Sequence, residues 1–304
     1  MLPSLATTLT NPKALTFPLI VQPKIDGVRG WNPKGTLLGR SMEPHANKHT
    51  TLLFSSAHLA GRDGELHVGS PFSDEVCRAT TSAVNTIAGE PAVTWALFDL
   101  VTRDTFFLPY EERLNKLMDV VRREHERTEG FVSYKVIHSM KVHSLDELLE
   151  LDAGFIQQGY EGTIIRKPGD VFRSGRLPEE VASVLRLKRF TDREGKIIGL
   201  IEGALNNNMQ TFGADGYAKR STHAANMAPS GTIGSLIIED LETKKVHTIS
   251  KGKLTAAECR NYFLHQHLIL GRICTYRSFP RGALSKLRWP TFRNFRAQSD
   301  MEKG

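Results

Sequence analysis

The sequence predicts an α+β protein of two domains, helices and sheets first and a small β-barrel second. Three observations point there. Through about residue 190, amphipathic helical patterns alternate with apolar strand-like runs; beyond it short strands recur with one helical pattern; and the polar, turn-like Thr191 to Gly195 separates the two regimes. With 304 residues, 40% apolar and 24% charged, the chain has room for two ordinary domains and the composition of a folded protein. The division expected is 1–190 and 191–304.

The apolar run Phe17 to Val21 reads as a buried strand leading into Pro23-Lys24-Ile25-Asp26-Gly27-Val28-Arg29. Trp31 and the turn Asn32-Pro33-Lys34-Gly35 follow, and a second strand after the turn ends near Leu38-Gly39-Arg40-Ser41. Pro44 to Leu59 has a helical pattern. His45 and His49 lie one turn apart on it, but no third ligand accompanies them, which favours a packed or solvated face over a metal site.

Arg62 to Val68 alternates like a strand and carries Glu65 inward, either as an ordinary edge acid or as a ligand for metal or a ribose hydroxyl. Thr80-Thr81-Ser82 falls in a helix, and Val93 to Val101 is a mostly buried strand in which Trp95 is core. Pro109 to Thr128 is a long helix with Leu114, Leu117, Met118 and Val121 on one face. Ser144 and Glu147 have the spacing of a capping box, which starts a helix running toward Gln157.

Gly159 to Lys167 is a turn entering a β-branched strand with Glu161 at its mouth, and Arg173 and Arg176 bracket a Ser-Gly loop. In Val184 to Phe190 apolar and basic residues alternate, so Arg186 and Lys188 share a face. Two like charges so placed repel unless an anion lies between them, which favours an oligophosphate ligand.

Past the boundary, the predicted strands are Lys196 to Glu202, Ile233 to Leu241, Val246 to Ser250 and Arg272 to Phe279, with a helix near Ala256 to Gln266. This pattern suits a barrel of the oligonucleotide-binding kind. Leu205 to Ser230 is poor in apolar residues, rich in Asn and Gly, and carries Lys219-Arg220, so it reads as a long functional or disordered loop.

Lys and Arg number 40 against 33 acids, a net charge of +7, and from Arg272 onward eight bases face two acids. A polyanionic partner is favoured, met through the C-terminal region. Cys77, Cys259 and Cys274 stand far apart, supporting neither a disulfide framework nor a structural zinc site. The absence of a signal peptide and of a long apolar run leads to the expectation of a cytosolic protein with no membrane association.

A lysine at a strand end, beside a carboxylate, a glycine and an arginine, is a candidate nucleophile if its amine is desolvated near other cations. Gly27 would permit close backbone approach or a positive φ, Arg29 would hold a phosphate by two hydrogen bonds, and Asp26 would orient the amine or bind metal.

Taken in order, Lys24-x-Asp26-Gly27-x-Arg29, Gly39-Arg40-Ser41, Asp63-Gly64-Glu65, Leu97-Phe98-Asp99, Glu161-Gly162 through Arg166, and Leu185-Arg186-Leu187-Lys188 resemble the nucleotidyltransferase motifs of ATP-dependent DNA ligases. Gly216 to His223 and Arg288-Trp289-Pro290-Thr291-Phe292 extend the likeness to the minimal viral ligases of the Chlorella virus type, over nearly the whole chain.

The resemblance implies an ATP-grasp-like nucleotidyltransferase domain and an OB-fold barrel with a DNA-clasping latch at about 205–230. It implies that Lys24 attacks the α-phosphorus of ATP and carries AMP, with Asp26, Arg29 and Lys188 also catalytic. Phe98 stacks on adenine, Glu65 holds ribose or metal, Glu161 binds metal, and Arg29, Arg186 and Lys188 meet the phosphates. Arg40 and Arg176 hold the nick 5′-phosphate, while Thr81, Arg173, Lys219 and Arg220 contact DNA. Mg²⁺ or Mn²⁺ is the implied cofactor, nicked duplex DNA the partner, and the enzyme a monomer. Arg186 departs from the family's usual lysine, and Gln22, two residues before the nucleophile, is implied as an adenine contact at a position that varies in the family and lies outside the assigned set. The same lysine motif serves mRNA-capping guanylyltransferases and RNA ligases, and a catalytically dead nucleic-acid binder would keep the folds without forming an adduct.

Overall fold

Alternation of apolar and polar residues sets most strands, and the chain's longest helical patterns cover them. The computed structural model describes residues 1–130, 132–279 and 287–296. The chain divides into two compact units, one built on Met1–Lys188 and the other on Arg189–Phe212 with Gly216 onward.

The first unit runs β1 (Ser4–Leu5), β2 (Thr7–Thr8), β3 (Leu19–Lys24), β4 (Val28–Asn32), α1 (Lys48–Phe54), β5 (Arg62–Val68), α2 (Val76–Asn85) and β6 (Val93–Leu100). It continues with α3 (Tyr110–Arg127), β7 (Tyr134–Val136), β8 (Met140–Val142), α4 (Leu145–Gln158), β9 (Gly162–Arg166), β10 (Gly175–Arg176) and β11 (Val184–Leu187). Two sheets result, a five-stranded β2-β11-β9-β3-β8 and a four-stranded β4-β5-β6-β7. α4 lays Leu148 and Phe155 against Leu19, Val21, Ile165 and Leu185 of the first sheet. Leu117 and Val121 of α3 join Leu66, Trp95 and Leu97 in the core of the second. Trp95 is fully buried against Phe54, as a core residue should be. Each such side chain contributes roughly 1.5–3 kcal/mol by leaving water.

Register decides what the five-stranded sheet presents at its edge. Lys24 ends β3 opposite Gly162, and Thr163 pairs with Leu187 of β11. Glu161, just before β9, and Lys188, just after β11, therefore stand at the same end of three neighbouring strands as Lys24. Gly162 is required there, since a Cβ would lie 2.5 Å from Leu187 O. Gly27 meets the same demand: its Cβ would lie 2.1 Å from Leu66 O, so close approach rather than positive φ explains it.

The second unit holds β12 (Thr191–Asn206), β13 (Gln210–Phe212), β14 (Ala218–Arg220), β15 (Met227–Asp240), β16 (Val246–Ser250), α5 (Ala256–Leu264), β17 (Ile273–Phe279) and β18 (Arg288–Phe295). Five of these strands close a barrel in the order β12-β15-β16-β18-β17. Its interior is filled by Ile197, Ile233, Leu236, Ile238, Ile249, Tyr276 and Phe292, with Cys259 of α5 among them. Buried Asp240 accepts from Tyr276 OH and from Thr243 N at 2.6 Å. Burial raises its pKa, but these bonds outweigh that and hold it at about 2. No described helix is long and apolar enough to cross a membrane.

Several elements differ from expectation. The strand of the first motif precedes the Asn32–Gly35 turn; Leu37 to Ser41 contributes only a single bridge, Leu38 to Trp31. Arg40 lies in a turn in which Gly39 N donates to Glu43 O at 2.8 Å. The predicted helix from Pro44 shrinks to α1 because Asn47 caps it, accepting from Thr50 N at 2.8 Å. Met118 is 41% exposed rather than part of the buried face of α3. The capping box is half made: Ser144 Oγ accepts from Glu147 N, but Glu147 reaches His143 N.

Thr191 to Gly195 is strand rather than turn. Its charges are paired across the sheet, Asp192 bidentate with Arg277 at 2.6 and 2.7 Å and Glu194 with Arg296 at 2.8 Å. The expected loop 205–230 is ordered: β12 and β15 continue as far as Asn206 opposite Met227 and carry the β13–β14 hairpin. Asn208 knots its base, donating to Ser221 O at 2.9 Å and His223 O at 3.1 Å. Part of the basic C-terminal run, 280–286 and 297–304, lies outside the described residues.

Candidate active site

At the end of β3, β9 and β11, Glu161 accepts from two ammonium groups. One carboxylate oxygen binds Lys24 Nζ and the other Lys188 Nζ at 2.5 Å. Burial alone would raise the Glu161 pKa, but Lys24 and Lys188 together hold it well down, at about 2. Lys188 is itself lowered, by burial first and by Lys24 and Arg186 nearby, against the pull of Glu161.

Lys24 also lines a cavity of about 260 Å³ walled by Ser4, Leu5, Ala6, Gln22, Glu65, Phe98, Ile137, Ile164 and five arginines, Arg29, Arg40, Arg166, Arg176 and Arg186, among others. Glu65 sits opposite Arg29 across β4 and β5. Burial pushes its carboxyl up to about 7; Lys24 and Arg29 pull it down, while Glu161 and Asp26 push it further up. A cation placed beside it would favour its ionised form. Arg186 is lowered by burial and by the like charges of Arg176 and Arg40, so these cations crowd one wall. Such a wall suits a phosphate-rich ligand.

Phe98 forms an apolar wall with the guanidinium of Arg29 4.7 Å and that of Arg166 5.0 Å from its ring centre. Arg29 donates through Nε and Nη2 to Asp63, each at 2.5 Å, and through Nη2 to Ser4 O at 3.0 Å. A two-pronged hold on phosphate is thus not open to it, because Asp63 already occupies the fork; Arg29 is a fixed charge over the aromatic ring.

The remaining expected residues divide. Asp26 is half-buried on the β3–β4 link, close enough to act on Glu65. Thr81 is exposed on α2, away from the cavity lining, and Arg173 lines a separate small cavity with Asp99, Arg113 and Arg166. Lys219 and Arg220 lie on β14 of the second unit, where Arg220 Nη1 donates to Asn208 O at 2.6 Å. His45 is packed: Nε2 bonds Arg29 O at 3.1 Å, and burial lowers its pKa.

Other contributors carried no signal in the sequence. β1 and β2 lie parallel to β10 and β11 as a strap, Ser4 opposite Gly175 and Thr8 opposite Arg186. Along it Ser4 O holds Arg29, Ala6 O accepts from Arg176 Nη1 at 2.6 Å, and Thr8 Oγ1 accepts from Arg186 Nε at 3.0 Å. Behind Phe98, Asp99 takes both prongs of Arg113 at 2.8 and 3.0 Å and Arg166 Nη1 at 3.3 Å. The flanking motif contains Asp99, but nothing in it names Arg113 as its partner.

Two carboxylates, Glu65 and Glu161, face this site and are hard oxygen donors suited to Mg²⁺ or Mn²⁺. Among the described residues no group of three or more His, Cys, Asp or Glu is gathered.

No family model matches the sequence. Over 107 residues, 35% of this chain, it is 27% identical to the DNA ligase of African swine fever virus (strain Badajoz 1971 Vero-adapted); the match spans a quarter of that protein. In three dimensions the chain is similar to the Chlorella virus DNA ligase-adenylate, with TM-score 0.55 and 24% identity over 97% of this chain and 99% of that one. It is also similar to a Lig E DNA ligase, with TM-score 0.71 and 19% identity over 97% and 99%. These structural likenesses show the fold, a unit of two sheets packed with helices and a closed five-stranded barrel.

Proposed function

We propose that this chain is an ATP-dependent DNA ligase, which seals 5′-phosphate/3′-hydroxyl nicks in duplex DNA through lysyl-AMP and a DNA-adenylate. The observation that carries this reading is Lys24 paired with Glu161 beside a cavity whose wall is rich in arginine. The sequence similarity to a viral DNA ligase and the two-domain fold agree with it.

Lys24 Nζ would form a bond to the α-phosphorus of ATP as the bond to the pyrophosphate oxygen breaks. Arg186 and Lys188 take up charge on the phosphates, and Phe98 stacks on the base. The AMP then passes to the 5′-phosphate held by Arg40 and Arg176, and the 3′-hydroxyl displaces it. Each step is an in-line displacement at an anionic centre, so alignment and cations supply most of the acceleration. Glu65 and Glu161 would hold Mg²⁺ or Mn²⁺, which would neutralise charge on the triphosphate. The ammonium proton of Lys24 must leave for solvent before its nitrogen can attack. Thr81 and Arg173 would touch the DNA backbone, the β13–β14 hairpin with Lys219 and Arg220 would clasp the duplex, and a monomer suffices for all of this.

Labelled ATP and a divalent cation should yield a covalent AMP adduct in the intact chain and none in Lys24→Ala. A chase with nicked duplex should move the label to the 5′-phosphate. Labelling by GTP alone would instead indicate capping chemistry, and absence of adduct with every nucleotide would end the reading.

A further inference from the structure

A chain of hydrogen bonds holds one amide side chain at the wall of the cavity. Gln22 is 1% exposed and lines the cavity. Its Nε2 donates to Tyr110 OH at 2.9 Å and to Ser139 Oγ at 2.8 Å. Each hydroxyl has one proton, and each has placed it on a backbone carbonyl: Tyr110 on Phe98 O at 2.9 Å, Ser139 on Ile137 O at 3.1 Å. Neither can donate again, so both can only accept. Turning the Gln22 amide over would set its carbonyl against two oxygens with no proton to share, at the cost of leaving buried polar groups unpaired. The NH₂ end is therefore fixed inward, and the carbonyl is the end left for the cavity. Phe98 and Ile137, whose carbonyls anchor the two hydroxyls, line the same cavity.

We propose that Tyr110 and Ser139 are positioning residues that set nucleotide specificity, holding Gln22 so that its carbonyl demands a hydrogen-bond donor on the base. The 6-amino group of adenine supplies one, while the 6-oxo group of guanine presents a second acceptor and is repelled. The inference rests on the nucleotide-charging reading above and on the Gln22–adenine contact that the resemblance implies, and adds to them which residues hold Gln22 in place.

The test is adduct formation with ATP, GTP and purine riboside triphosphate, which lacks any 6-substituent. The intact chain should prefer ATP to both. In Tyr110→Phe/Ser139→Ala the amide is free to turn, and the ATP-over-GTP preference should fall by roughly tenfold or more. Ser139→Ala alone, at a half-buried position, should fall part of the way and guards against a double variant that does not fold. Gln22→Leu should bring ATP down toward the level of purine riboside triphosphate. A merely structural role would lower ATP and GTP charging alike and leave their ratio unmoved, and that result overturns the proposal. An intact chain that charges ATP and GTP equally also overturns it while leaving the ligase reading in place. A chain that charges none of the three removes both.

Discussion

Glu161 stands between two ammonium groups, binding Lys24 Nζ through one carboxylate oxygen and Lys188 Nζ through the other. Replacing it by Gln removes the negative charge that gathers Lys24 and Lys188, and lysyl-AMP formation should fall by roughly a hundredfold in single-turnover labelling. Glu65 gives a separate readout through stability. Its folded pKa of about 7 lies above the ordinary 4.5, so the unfolded chain releases the proton first and stability drains as pH rises from 4.5 to 7. Glu65→Gln cannot ionise and escapes this loss. Its stability relative to the parent should improve by about 2 kcal/mol between pH 5 and pH 8 in denaturant titrations. Parallel pH profiles for the two proteins would show that Glu65 is not held high. The motifs pointed to Lys24, Glu65, Phe98 and Glu161 individually. The direct contact of Lys24 with a residue 137 positions away was beyond them, and so was the loss of the Arg29 fork to Asp63.

Elements built on a clear period were legible: β3, β5, β6, α3 and α4 each follow their apolar pattern. β1 and β2 were not, because two-residue strands have no period to read and exist only by parallel pairing with β10 and β11. Thr191 to Gly195 looked like a turn because its charges are satisfied by residues on β17 and beyond β18, far away in sequence. Gly162 shows how closely elements meet at the site. A methyl group there would push β9 from β11 at Leu187 O, and Gly162→Ala should cost roughly 2–4 kcal/mol of stability. It should also abolish adduct formation by parting Glu161 from Lys188, checked by thermal unfolding and labelling on one sample.

At the scale of the whole molecule, net charge and the second unit's basic residues favour a polyanion over any particular base sequence. Lys219→Ala/Arg220→Ala should weaken binding to nicked duplex and flatten the slope of log affinity against log salt by about 1 to 2. Adduct formation from ATP should be untouched, since neither residue lines the cavity beside Lys24. An unchanged salt slope would remove the β13–β14 hairpin from the DNA contacts. The barrel itself could be foreseen from strand spacing. The ordered hairpin could not, because Asn208 supplies through its amide the organisation that apolar residues usually provide.

The strap of β1 and β2 has a practical side. Ser4, Ala6 and Thr8 tether three guanidinium groups, so a purification tag fused immediately ahead of them loads the segment that keeps those groups in place. Tagging at the opposite terminus should give the more active preparation, and protease removal of a leading tag should restore turnover.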